Sequence, residues 1–133
     1  VAAILLSTLS AVPASAAQNT GSANPPRRLT KQDLRAAFER AQQALAAKDY
    51  AAAERGFKEF LKLDPNSAAA YTNLGVVYMR TGKSDEAIRA FETAKKLNPG
   101  MVGVDLNLGL LYYRKQDFKD AVPYFERLVK AQP

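Results

Sequence analysis

Two asparagines and two arginines recur at one offset along this chain: Asn73 with Asn107 and Arg80 with Arg114, each pair 34 residues apart. An asparagine amide offers a donor and an acceptor together, so a matched pair can bridge an extended peptide backbone without reading its side chains. A guanidinium presents a planar fork of donors that suits a carboxylate. This is the chemistry of holding. The chemistry of bond making is largely excluded, because the chain has no histidine and no cysteine. A Ser-His-Asp triad, a His-ligated zinc, an imidazole proton shuttle and thiolate catalysis are therefore impossible within it. Glu92 and Glu126 also stand 34 apart, which is repeat symmetry and not a pair of carboxylates flanking one bond. No catalytic residue, cofactor or metal is expected.

The same offset runs through the residues that must position these groups. Leu74-Gly75-x-x-Tyr78 returns as Leu108-Gly109-x-x-Tyr112, Ala87 as Ala121, Phe91 as Phe125, and Pro65 as Pro99 and Pro133. Self-similarity at this period means a stack of small units, each burying its apolar stripe only against a neighbour. Hydrophobic periodicity predicts six helices in three antiparallel pairs: 31–47 with 50–63, 67–81 with 85–97, and 101–115 with 118–131. Thr30, with Asp33 three residues on, forms an approximate capping box; Asp49, Ser84 and Asp117 are expected to cap the second helices, and Gly82 to end the one before it. Pro65 and Pro99 separate the pairs. Pro123 falls inside the last helix, where it removes the hydrogen bond to the Lys119 carbonyl, so a bend is expected there.

The two ends of the sequence differ in composition. Val1 to Val12 is an apolar run followed by small residues with Ala14 and Ala16 in an Ala-x-Ala arrangement. That pattern reads as a signal peptide over residues 1–16, its charged start missing, and it is too short and too interrupted to span a membrane. Residues 17–30 read as a disordered linker rich in Asn, Gly, Ser and Pro, and residues 31–133 as the folded array. An exported, cysteine-free chain fits a bacterial periplasm. Net charge is +6, which favours an acidic partner; export argues against nucleic acid, and much of the charge alternates in sign along solvated helix faces.

Tyr71-x-x-Leu74-Gly75-x-x-Tyr78, followed by Ala87, Phe91, Ala94 and Pro99, resembles the tetratricopeptide repeat at each signature position. The unit at 102–133 matches less fully, with Asp105 where a bulky residue is expected, and the unit at 34–67 is degenerate in its first helix (Ala37, Arg40, Ala41, Ala44). The resemblance implies an all-α, right-handed solenoid of three antiparallel helix pairs with repeats at 34–67, 68–101 and 102–133. Gly75 and Gly109 are expected to let paired helices approach, with Ala87 and Ala121 opposite them and the aromatics filling the gaps between pairs.

In this family the first helix of each pair lines a concave groove. The resemblance therefore places Phe38, Met79 and Tyr113 there as apolar anchors beside Asn73, Asn107, Arg80 and Arg114. The implied function is a non-enzymatic, exported scaffold that holds a peptide or protein segment, with an acidic partner and self-association through an uncapped C-terminal end as further expectations. The arrangement used to hold chaperone tails is not matched beyond Asn73. The alternative reading is an accessory or assembly region at the N-terminal side of a larger enzyme or multi-repeat protein, truncated at Pro133.

Overall fold

The computed structural model of the protein describes residues 27–132. The expected signal segment and most of the expected linker lie outside them. Among the described residues there are six helices and no strand: α1 (Lys31–Ala46), α2 (Tyr50–Leu63), α3 (Ala68–Arg80), α4 (Ser84–Leu97), α5 (Val102–Arg114) and α6 (Phe118–Ala131). None is long and apolar enough to cross a membrane. Each pair packs on itself (α1 with α2, α3 with α4, α5 with α6), and the pairs join through α2 with α3 and α4 with α5.

Local chemistry explains most of the ends. Thr30 and Asp33 close a reciprocal capping box: the Thr30 N–H donates to Asp33 Oδ2 at 2.8 Å and the Asp33 N–H to Thr30 Oγ1 at 3.1 Å. The Thr30 backbone and hydroxyl, with Arg27, hold the Asp33 carboxyl at about 2. Asp49 accepts from the Ala52 N–H, Ser67 from Ala70 and Asp117 from Asp120. Ser84 does not cap α4. It is the first helical residue, and Lys83 occupies the cap position without a side-chain capping bond; Lys83, not Ser84, shares the 34-residue register of Asp49 and Asp117. α6 continues through Pro123 to Ala131.

Lys48, Gly82 and Gln116 stand at one register and share left-handed backbone, with φ of 61°, 76° and 62°. Only the glycine adopts this conformation without a Cβ penalty. Lys48→Gly and Gln116→Gly are each expected to raise stability by about 0.5–1 kcal/mol, the Cβ strain relieved less the extra entropy of a free glycine. A higher thermal midpoint for both variants checks this; no change would mean that the turns carry no strain.

Packing within the pairs departs from the expectation at the glycines. A Cβ built on Gly75 meets the Phe91 ring at 2.8 Å, and one on Gly109 meets the Phe125 ring at the same distance. A phenylalanine of the partner helix, not Ala87 or Ala121, therefore sits over each glycine, and these two rings fill their own pairs. The first pair reverses the arrangement: Ala41 stands at the register of Gly75, and the glycine is Gly56 on the facing helix, where a Cβ would come 2.8 Å from Ala41 Cβ. Phe57, Phe91, Leu108 and Leu111 are among the largest fully buried side chains.

The junctions between pairs differ in kind. At the first, half-buried Leu61 and Tyr71 join the core, and Glu54 holds Lys58 at 2.5 Å and Lys83 at 3.0 Å. At the second, Asp105 is 1% exposed and receives Lys95 from α4 at 2.6 Å and Arg127 from α6 at 3.0 Å. Lys95 occupies the register of Leu61, and Asp105 that of Tyr71. Burial pushes the Asp105 carboxyl up, but the bonds from Lys95 and Arg127 outweigh it and hold the group below its ordinary value. The Tyr112 hydroxyl donates to Glu92 at 2.9 Å across the same junction, and Lys115 pairs with Asp85.

Candidate peptide-binding face

The stack sets α3 and α5 in successive pairs, so residues 34 apart on them occupy equivalent places. Asn73 and Asn107 are both half-buried, and neither side chain forms a hydrogen bond among the described residues. Asn107 lies two positions beyond Asp105 on α5. At about 100° per residue it points well away from the ionic junction, which leaves its amide uncommitted.

Arg80 and Arg114 are exposed at the last turns of α3 and α5. Neither forms an ion pair among the described residues, in contrast to Arg35, which meets Glu39 at 3.2 Å along α1. Both cations gain from the negative end of their own helix, an effect of about 0.3–1 kcal/mol each, and both keep their donors available.

The three expected anchors are placed differently. Phe38 is half-buried and spends its ring on the first pair, at 5.8 Å from Phe57 and 5.1 Å from Phe60 between centroids. Met79 is half-buried and packs on the core. Tyr113 is 58% exposed and touches Phe118 edge-on at 5.4 Å. The freely presented apolar surface of the first helices is thus concentrated on α5, where Leu106 is 46% exposed. The Thr72 hydroxyl is committed to the Ala68 carbonyl at 2.9 Å.

Sequence reasoning missed the ionic cluster around Asp105. The only signal was a carboxylate at a position that carries Tyr71 in the preceding unit. Its partners lie 10 residues before and 22 after, and no motif contains all three.

With the geometry in place, two family models described as tetratricopeptide repeat match residues 38–102 and 106–133. The chain belongs to the tetratricopeptide repeat family. The matched segments take in all of α2, α3, α4 and α6, most of α5 and the second half of α1, as helix pairs in the family's register. Among curated proteins none matches the chain.

Solved structures share the fold. One described as the crystal structure of MamA is 28% identical with a TM-score of 0.70, over 73% of this chain and 57% of that one. MamA 41-end from Desulfovibrio magneticus RS-1 is 26% identical with a TM-score of 0.69, over 74% and 58%. A CopN-Scc3 complex contains a chain 19% identical with a TM-score of 0.73, over 78% and 62%; at that identity the likeness is one of fold alone. The chain spans between about half and two thirds of the length of these similar structures.

Proposed function

We propose that this tetratricopeptide repeat protein is a non-enzymatic scaffold that holds an extended peptide or protein segment along the first helices of its pairs. The observation that carries the reading is the matched pair of uncommitted, half-buried amides on α3 and α5. A half-buried amide lacking an internal partner has its donor and acceptor to offer a ligand. The exposed Leu106 and Tyr113 supply apolar area on α5. Arg80 and Arg114 bias the face toward acidic segments. The complex named CopN-Scc3 contains a chain of this fold, which agrees with a fold used in protein assembly. Export to a bacterial periplasm belongs to the same reading and rests on the apolar run at Val1–Val12 and the Ala14-x-Ala16 pattern.

One experiment tests both halves. The full chain is expressed in a bacterium, recovered from the exported fraction, sequenced at its N-terminus and used to capture partners. The expected mature terminus is near Ala17, and Asn73→Ala with Asn107→Ala should weaken capture about tenfold or more while helical circular dichroism stays intact. Two amide contacts at about 1 kcal/mol each would give that loss. Undiminished capture would remove the amides from the binding role, and a cytoplasmic product retaining Val1 would remove export.

A further inference from the structure

Between α4 and α6, with α5 as its floor, lies an open cleft of about 590 Å³. That size falls in the range of about 300–1,000 Å³ that ligand clefts occupy. Glu92, Lys95 and Lys96 line one side, Tyr124 and Arg127 the other, and Leu108 the floor. A smaller cleft stands at the same register one unit earlier, where Tyr71, Leu74, Ala90 and Thr93 take the places of Asp105, Leu108, Tyr124 and Arg127. It stays open although α5 and α6 follow its pair. The openness of these clefts therefore does not depend on what stacks against the outer face of α6.

The two clefts differ in charge. At the earlier one Glu86 and Arg89 balance. At the later one three cations, Lys95, Lys96 and Arg127, meet two carboxylates, Glu92 and Asp105, which leaves a local excess of one positive charge. Burial sorts these groups by depth. The Asp105 side chain is 2% exposed and that of Arg127 45%, so a ligand entering the cleft meets the cation first. Arg127 commits Nε and Nη2 to one oxygen of Asp105, at 3.1 and 3.0 Å. One edge of the guanidinium is thereby engaged. Nη1 and the outer proton of Nη2 form a second fork, which suits a carboxylate through two parallel bonds. Lys96 is exposed and forms no ion pair among the described residues. The single excess charge matches a carboxylate, whereas a phosphate group carries about −1.5 to −2 and would overfill the cleft beside Glu92.

Glu92 supplies the other half of the recognition. Its Oε1 accepts from the Tyr112 hydroxyl at 2.9 Å, and its Oε2 has no hydrogen-bond partner among the described residues. A half-buried carboxylate oxygen at the wall of a cleft suits an N–H donor. A carboxylate beside an amide N–H is what an acidic residue within a peptide presents.

We propose that this cleft is a second binding site and takes a Glu or Asp residue of a peptide, with the side-chain carboxylate on Arg127 and Lys96 and the backbone N–H on Glu92. The site stands apart from the peptide-binding reading, because its polar groups lie on α4 and α6 and the amides of that reading on α3 and α5.

The test is an isotope-edited NMR titration of the full chain with the tripeptide Ala-Glu-Ala, capped at both ends and held at constant ionic strength. Shifts are expected at the Arg127 Nε–H and at the backbone amides of Lys95 and Lys96. Lys96→Glu, at an exposed position without a partner, should weaken binding about tenfold or more with circular dichroism unchanged, and Lys96→Arg should retain it. The capped peptide Ala-Gln-Ala should bind at least about tenfold more weakly, and so should acetate, which has the carboxylate without the N–H. Asn73→Ala with Asn107→Ala should leave the shifts as they are, so that the two sites fail or stand separately. No shift at Arg127, equal binding of the glutamine peptide, or indifference to Lys96→Glu would overturn the proposal. Acetate as tight as the peptide would overturn it too, by reducing the cleft to a site for a bare anion. Loss of the shifts in the asparagine variant would do the same, by assigning the peptide to α3 and α5.

Discussion

Asp105→Ala is expected to lower the stability of the fold by about 3–5 kcal/mol, because it strips from two cations the carboxylate that draws both to a buried position. Arg127 is 45% exposed on its side chain, Lys95 21% and Asp105 2%. Water can therefore recover part of the loss at Arg127, and the lower end of the range is the better expectation. Urea denaturation followed by circular dichroism measures it. The informative companion replaces the whole cluster by the residues at the same register one unit earlier: Asp105→Tyr, Lys95→Leu and Arg127→Thr, after Tyr71, Leu61 and Thr93. Substituting an entire buried ion cluster with packed side chains is often neutral or stabilising, so this triple variant should lie within about 1 kcal/mol of wild type or above it. A single substitution costing under about 1 kcal/mol would show the cations already solvated and the cluster structurally idle.

The cluster also makes the fold sensitive to acid. The folded carboxyl lies below its ordinary value of 3.8, so its contribution is complete above the pKa of the unfolded chain. It is lost as pH falls through the lower, folded value. Asp105→Asn should therefore flatten the acid limb of the stability profile.

Phe91→Ala is the second large effect, with an expected loss of about 3–5 kcal/mol. The ring is fully buried and sits against Gly75, so truncation opens a void over a helix face that has no side chain to fill it. Phe125→Ala removes the same ring from the same geometry over Gly109, but Phe125 is only half-buried, and the cost should be about half as large. Equal losses at the two sites, measured by urea denaturation of both variants, would contradict the difference in burial.

The repeat skeleton was legible because its residues are constrained locally. Leu74, Gly75, Tyr78 and Pro99 each do in one unit what the matching residue does in the next, so spacing alone exposes them. Helix existence followed from the same periodicity. The errors sit where residue type alone does not decide a position and the fit of one helix on its partner does. Ser84 looked like a cap by residue type, while the backbone register assigned the place to Lys83. Ala87 looked like the surface opposite Gly75, while the ring of Phe91 reached across. The reversal at Ala41 and Gly56 was hidden because a small residue on either helix gives the same close approach. At the candidate site, the equivalence of Asn73 and Asn107 was readable from their offset. The commitment of Phe38 to Phe57 and Phe60 was not, since it depends on how α1 lies on α2.

The polar ties between pairs run from one pair to the next: Glu54 to Lys83, Asp85 to Lys115, Glu92 to Tyr112 and Lys95 to Asp105. The distance separating Asn73 from Asn107 is thus fixed by a single joint, and that joint is the ionic one. Asp105 and Asn107 share α5 yet face different ways, so α5 works as a short lever with the charge cluster at its back and the amide at its front. A slackened cluster would change the gauge between the two amides before any helix melted.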